Sequence, residues 1–134
     1  MILLNDKYIF VVAQKAIVQL DNTFLLMKRS SKAKVFPNHW DFPGGKLEHG
    51  EDYKDGLVRE VKEETNLNVI IEDVEFIYIE NERRPAYVVL FKCEKEAGEV
   101  KLSFEHSEFK WVTKEQALKL NLEPYLKAYF ESID

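Results

Sequence analysis

Three glutamates, Glu60, Glu63 and Glu64, lie within five consecutive positions of a segment that the sequence predicts to be helical. At about 100° per residue they share an arc of roughly 100° on the helix surface. Like charges at this spacing repel and destabilise a helix slightly. Carboxylate oxygens grouped in this way suit Mg²⁺ or Mn²⁺, which bind few carboxylates and complete their coordination with water and phosphate. The alternative is a solvated acidic face, which is what most charge runs are.

The surroundings of the cluster favour the metal hypothesis over the solvated face. Pro43-Gly44-Gly45 precedes the helix and predicts a turn in which the two glycines let the backbone approach a ligand closely. A further acid, Glu51, stands where the helix is expected to begin. The segment therefore combines a backbone that can come close to a ligand with several hard oxygen ligands.

The spacing of these residues resembles the Nudix box. Gly45 is followed by five residues, Glu51, seven residues and then Arg59-Glu60-Val61-Lys62-Glu63-Glu64-Thr65-Asn66-Leu67. The family pattern is glycine, five residues, glutamate, seven residues and then Arg-Glu-aliphatic-x-Glu-Glu-x-Gly-aliphatic. Asn66 replaces the family's glycine, and asparagine tolerates the same backbone region. The segment Trp40–Glu48 is similar to the MutT-like branch of the family.

The resemblance implies a role for each matching residue. The implied metal ligands are a main-chain carbonyl and three carboxylates, belonging to Gly44, Glu60, Glu63 and Glu64. Arg59 would orient the glutamates, and Glu51 would support Arg59. The implied cofactor is Mg²⁺, with Mn²⁺ as the alternative. Such a metal neutralises diphosphate oxygens and lowers the pKa of a bound water, whose proton a positioned carboxylate then accepts.

A general base often comes from a later loop in this family, and the segment from Glu105 to Val112 resembles that region. Glu105 is the first candidate and Glu108 the second, with two solvated loop acids as the alternative reading. The implied catalytic set is therefore Arg59, Glu63, Glu64, Glu105 and Glu108. His106 is interpreted as a loop histidine, because oxygen suits this metal better than imidazole.

Four residues outside the box are candidates for substrate binding. Lys28 and Arg29 end a predicted strand, where they could meet phosphates, and Arg84 lies in a polar turn. The alternative for all three is ordinary surface charge. Asn121 stands where MutT-like proteins can carry an asparagine that reads the base, although the local match is poor.

The order of predicted elements places the cluster between two groups of strands. The predicted strands are Tyr8–Leu20, Thr23–Lys28, Trp40–Phe42, Leu67–Tyr78, Ala86–Glu94, Val100–Phe104 and Glu108–Val112. The predicted helices are Glu51–Thr65, a short one capped by Thr113 and ending at Leu118, and Tyr125–Ser132. This order indicates an α/β protein with a mixed sheet. The resemblance implies a Nudix-type α/β/α sandwich that forms one hydrolase domain over residues 1–134.

Composition and charge exclude several classes of protein. The net charge of −5 argues against a protein that binds nucleic acid by bulk electrostatics. No apolar run is long enough to span a membrane, and we expect no membrane partner. Cys93 is the single cysteine, so an internal disulfide cannot form, which favours a cytoplasmic location. A homodimer is the default expectation for a small enzyme.

The resemblance implies metal-dependent hydrolysis of the diphosphate linkage in a nucleoside diphosphate derivative. The MutT-like features favour a nucleoside triphosphate, oxidised ones included, cleaved to a monophosphate and pyrophosphate. ADP-ribose or a dinucleoside polyphosphate is the alternative substrate. A Nudix-fold sensor that binds a nucleotide without cleaving it is the alternative function, which the intact Arg59, Glu60, Glu63 and Glu64 disfavour. A structural domain with a solvated acidic face is a third hypothesis.

Overall fold

A computed structural model describes residues 9–81 and 85–134. Its strands are β1 (Val11–Leu20), β2 (Thr23–Arg29), β3 (Trp40–Asp41), β4 (Gly44–Lys46), β5 (Asn68–Glu80), β6 (Ala86–Ala97) and β7 (His106–Val112). Its helices are α1 (Tyr53–Thr65), α2 (Lys114–Ala117) and α3 (Pro124–Ser132).

The strands form a mixed sheet in the order β3-β2-β1-β6-β5, with β4 added to β1 and β7 added to β2. β1 and β6 are parallel, whereas the other paired strands are antiparallel. The predicted hairpin between β1 and β2 is present, with Asp21 at a positive φ of 55° in its turn. The predicted mixed sheet is therefore confirmed.

The hydrophobic core is divided into two clusters by the sheet. One cluster receives Leu57 and Val61 from α1, together with Leu67 beyond its end. The other receives Leu126 and Phe130 from α3. Full burial of such a side chain stabilises the fold by about 1.5–3 kcal/mol. Two helices held by separate clusters give the α/β/α layering that the resemblance implied.

Both ends of α1 are defined by side chains that satisfy free backbone groups. Asp52 caps the start, where its carboxylate accepts hydrogen bonds from the N–H groups of Lys54 and Asp55 at 3.1 Å. The predicted start at Glu51 is therefore two residues too early. Asn66 ends the helix in the left-handed region at φ 69°, as its place in the sequence predicted.

Two predicted elements are wrong. Gly45 and Gly44 do not form a free turn, because they belong to β4 and pair with Gln14 and Lys15 of β1. The predicted strand Val100–Phe104 is absent from the described part of the chain. Its N–H groups bond elsewhere, since Lys101 donates to the Thr65 carbonyl at 2.9 Å and Ser103 donates to the Glu64 carbonyl at 3.3 Å.

The C-terminal predictions agree with the structure. Thr113 and Gln116 form the reciprocal capping box that opens α2, and Pro124 is the first residue of α3. β6 continues to Ala97, three residues past its predicted end at Glu94. None of the helices within residues 9–81 and 85–134 is long and apolar enough to cross a membrane.

Replacing Asn66 tests the left-handed end of α1. We expect Asn66→Ala to lower the free energy of unfolding by about 1–2 kcal/mol, because a Cβ without a compensating hydrogen bond is strained at this φ. Asn66 also donates from Nδ2 to the Glu99 carbonyl at 3.1 Å, which alanine cannot do. Asn66→Gly is the matched control, because it also lacks the amide but has no Cβ to be strained at this φ, and it should be about 1 kcal/mol more stable than Asn66→Ala. Equal losses in urea denaturation of the two variants would contradict this explanation.

Candidate active site

The glutamate face of α1 lies against the backbone of β4. Gly44 donates its N–H to Glu64 Oε1 at 2.8 Å, and Glu64 is only 7% exposed. Burial raises the pKa of Glu64 to about 8, although the Lys15 ammonium and the Gly44 N–H oppose that shift. Glu64 is therefore a carboxylate with little water around it, and a nearby cation would stabilise its charged form.

Glycines at positions 44 and 45 leave room for the neighbours of β4, which are β1 on one side and the Glu60 carboxylate on the other. A Cβ added to Gly45 would lie 2.8 Å from Cδ of Glu60, and one added to Gly44 would lie 2.0 Å from the Gln14 carbonyl oxygen. Gly44 also has a φ of 146°. A side chain at position 44 would separate β4 from β1, whereas one at position 45 would displace the Glu60 carboxylate from its present place.

Arg59 connects the acids around this face. Its guanidinium lies 3.2 Å from Glu51 Oε2, 3.3 Å from Glu60 Oε1 and 3.4 Å from Glu63 Oε2. A Cβ on Gly56 would lie 2.7 Å from Cδ of Glu51, so the glycine inside the helix makes room for that carboxylate. The hydrogen bond to Glu51 and the neighbouring carboxylates raise the pKa of Arg59, which stays charged. The contact between Arg59 and Glu51 agrees with the pairing expected from the sequence.

The three glutamates of the predicted metal site differ in their surroundings. Glu64 is buried, Glu60 is partly buried, and the side chain of Glu63 is 59% exposed. Within the described ranges, no three His, Cys, Asp or Glu side chains already converge as a group able to hold a metal ion. Gly44 contacts the cluster through its N–H. Arg59 contacts Glu60 and Glu63, whereas Glu64 accepts the Gly44 N–H, so the three carboxylates have different partners.

A buried ionic network lies beside the glutamate face, and the sequence did not reveal it. Asp41 is 1% exposed, and its Oδ2 lies 3.1 Å from the Lys15 ammonium and 3.5 Å from the Arg29 guanidinium. Tyr125 donates its hydroxyl to the other oxygen of Asp41 and accepts the Phe42 N–H at 2.9 Å. Burial would raise the pKa of Asp41, but Lys15 and the other partners lower it below its usual value. A lysine inside the apolar strand β1 was the available signal.

His106 and Glu123 add further buried polar groups to this region. His106 is the first residue of β7 and only 6% exposed, so its interpretation as a loop histidine is wrong. Neither ring nitrogen of His106 has a hydrogen-bond partner among the described residues, and burial lowers its pKa to about 4. Burial and the adjacent Asp41 carboxylate raise the pKa of Glu123 to about 9. Both groups are therefore neutral near pH 7.

The candidate bases differ in their contacts. Glu108 lies on β7 and pairs with the Lys28 ammonium at 3.7 Å. Glu105 lies in the preceding loop, where its carbonyl accepts the Ser30 N–H at 3.0 Å. The pKa of Glu60 is raised mainly by burial. The nearby carboxylates of Glu63 and Glu105 raise it further. Glu105 is therefore close enough to act on the glutamate face electrostatically.

The remaining predicted substrate residues have structural contacts of their own. Arg29 donates from Nε to the Val35 carbonyl at 2.9 Å, in addition to its contact with Asp41. Asn121 is exposed, and its main-chain carbonyl accepts the Trp40 N–H at 2.8 Å. Arg84 lies outside the described residues.

Comparison with known proteins agrees with the geometry. A family model described as the NUDIX domain matches residues 10–132. The chain is 31% identical to a solved MutT protein from Methanosarcina mazei Go1, with a TM-score of 0.82 and 91% of each chain covered. It is 27% identical to a MutT-like protein of Streptomyces ambofaciens, over 88% of this chain and 73% of that one. It is 26% identical to the nucleoside triphosphatase NudI of Escherichia coli O139:H28, over 79% and 84%.

The buried His106 predicts an acid-sensitive component of stability. Its pKa is about 4 in the folded protein and 6.5 when unperturbed, so the neutral ring stabilises the fold above pH 6.5 and this contribution is lost as the pH falls towards 4. Because leucine does not titrate, the free energy of unfolding of His106→Leu should rise relative to that of the native protein as the pH falls from 6.5 to 4, by up to about 3 kcal/mol. Denaturant unfolding at several pH values measures the difference, and parallel pH profiles for the two proteins would contradict the prediction.

Proposed function

The chain belongs to the NUDIX domain family, and on that premise we propose that it cleaves the diphosphate linkage of a nucleoside diphosphate derivative with a divalent metal ion. The observation that carries the proposal is the buried Glu64 carboxylate, held by the Gly44 N–H beside Glu60. In a solvated acidic face, no glutamate would be buried against the backbone of a strand, as Glu64 is here.

The residues present fit a divalent cation. Glu60 and Glu64 both have raised pKa values, mainly because burial removes water from their carboxylates. A cation replaces the lost water interactions, and carboxylate oxygen is the ligand type that Mg²⁺ and Mn²⁺ prefer. We therefore assign Glu60 and Glu64 as the main ligands. Glu63, which is more exposed, and the main chain at Gly44 complete the proposed set.

When bound, such a cation supplies charge neutralisation for the diphosphate and activation of the attacking water. The protein's own residues hold the carboxylates of the site in place. Arg59 joins Glu51, Glu60 and Glu63, so these side chains are oriented before a substrate arrives. We assign Glu105, the first candidate for the general base, to accept the proton of the water, because its loop is joined to α1 by the Ser103 N–H, which donates to the Glu64 carbonyl at 3.3 Å.

The finer part of the proposal is a nucleoside triphosphate substrate, oxidised ones included, that gives a monophosphate and pyrophosphate. Two similarities support it. One similar protein is named nucleoside triphosphatase NudI and another is named MutT-like. Residues 23–40 also contain four basic side chains and no acid, which suits a substrate with several phosphates.

Replacing Glu64 tests the metal ligand. We expect Glu64→Gln to lower kcat/KM for a nucleoside triphosphate by about a hundredfold or more, with the fold intact, because the amide cannot supply the negative charge. Asp55→Asn is the matched control, since Asp55 is an exposed acid on the same helix. Phosphate or pyrophosphate release from a nucleotide panel with Mg²⁺ gives the rates. A Glu64→Gln variant as active as the control would refute the ligand assignment.

A second pair of variants distinguishes the candidate bases. We expect Glu105→Gln to reduce kcat by about a hundredfold, which is typical for removal of a general base. Glu108→Gln should reduce it by less than about threefold, because Glu108 is paired with Lys28 on β7. The measurement is kcat under saturating Mg²⁺ and nucleotide. The reverse ranking of the two variants would transfer the assignment to Glu108.

A further inference from the structure

A cleft with a volume of about 630 Å³ lies between the end of β2 and the loop before β7. This volume is within the range that small-molecule sites usually have. The residues that line it come from the end of β2, the loop after it and the loop before β7, namely Arg29, Ser30, Lys32, Ala33, Phe104 and Glu105. The proposed chemistry leaves most of this cleft without a role.

Phe104 is the unusual residue in the cleft. Its exposed fraction is 92%, and no other large hydrophobic residue in the described ranges exceeds 54%. A phenylalanine ring in water gains none of the stabilisation that burial would give it. The ring therefore offers an aromatic face that a ligand could cover.

The loop that carries Phe104 is attached to the glutamate helix. The preceding residue, Ser103, donates its N–H to the carbonyl of Glu64 at 3.3 Å, and the following residue is Glu105. Glu105 in turn accepts the Ser30 N–H at 3.0 Å, which joins the two loops of the cleft. Phe104 is thus held by backbone hydrogen bonds on both sides, at the edge of the face where the diphosphate is proposed to bind.

Two cations line the cleft on the side formed by the end of β2 and the loop after it. They are Arg29 and Lys32, and both belong to a segment, residues 23–40, that contains no Asp or Glu. Arg29 is engaged with Asp41, whereas Lys32 forms no ion pair with a carboxylate of the described residues. A cleft with cations on one side and an aromatic ring on the other suits a ligand that joins phosphates to a planar aromatic group.

We propose that the cleft lined by Phe104 and Lys32 binds the nucleobase end of the substrate, with the base stacked on the Phe104 ring and Lys32 near the phosphates. This inference rests on the proposed hydrolase function. It goes further by assigning recognition of the nucleobase to Phe104. Stacking requires only a planar ring, because every base has a π-face. The cleft therefore selects nucleotides over phosphate chains without a base, and it accepts different bases.

Binding measurements on the full chain test this inference without hydrolysis. The ligands are an α,β-methylene purine nucleoside triphosphate, whose bridging carbon resists cleavage, and tripolyphosphate, which has no base. We expect Phe104→Ala to weaken binding of the nucleotide analogue by about fivefold to a hundredfold in calorimetry with Mg²⁺. Binding of tripolyphosphate should change by less than about twofold, and Phe104→Trp should retain binding of the analogue.

Phe109→Ala is the matched control, because Phe109 is a 40% exposed phenylalanine on β7 that does not line the cleft. It should leave binding of both ligands unchanged. The inference is overturned if Phe104→Ala weakens both ligands equally, if it acts no more strongly than Phe109→Ala, or if the native protein binds no analogue.

Nucleotide hydrolysis by the same proteins separates the two proposals. Binding of the analogue that depends on Phe104, without hydrolysis of any nucleotide, would support the cleft and refute the proposed activity. Hydrolysis with a KM for nucleotides that is the same in Phe104→Ala and native protein would support the activity and refute the cleft.

Discussion

The close approach of α1 to β4 is the constraint on which the site depends. Glycine at residue 44 lets β4 pair closely with β1, since a Cβ there would lie 2.0 Å from the Gln14 carbonyl oxygen, and a Cβ on Gly45 would displace the Glu60 carboxylate. The approach removes water from Glu64 and replaces part of it with the Gly44 N–H. It therefore creates a buried carboxylate of unusually high pKa in a position that a solvated helix face would not provide.

A second buried group, the network around Asp41, lies beside the glutamate face and supports the same region. Burial of an ion pair is unfavourable unless its remaining hydrogen-bonding capacity is satisfied. Here Lys15 and Arg29 supply charge, and Tyr125 supplies a hydroxyl that also accepts the Phe42 N–H. The network joins β1, β2 and β3 to α3. Lys15 also opposes the rise in the pKa of Glu64, so the network and the glutamate face are electrostatically connected.

The elements that the sequence predicted correctly depend on local rules. The end of α1 at Asn66, the capping box at Thr113 and the start of α3 at Pro124 each follow from a residue's own backbone preferences or from neighbours a few positions away. The errors arise where backbone partners are distant. Residues 100–104 resemble a strand, but their N–H groups bond to the end of α1, and Gly44 pairs with Lys15 of β1.

By itself the sequence determined the family and the set of acidic and basic residues, because the spacing from Gly45 to Leu67 is a property of the linear chain. Only the tertiary structure decided that Glu64 is the glutamate buried away from water and that Phe104 is the aromatic ring exposed to it. Glu64 accepts a hydrogen bond from a glycine 20 positions earlier, and Asp41 accepts one from a tyrosine 84 positions later. Burial and electrostatics depend on distance in space, and a pattern of residue types does not contain those distances.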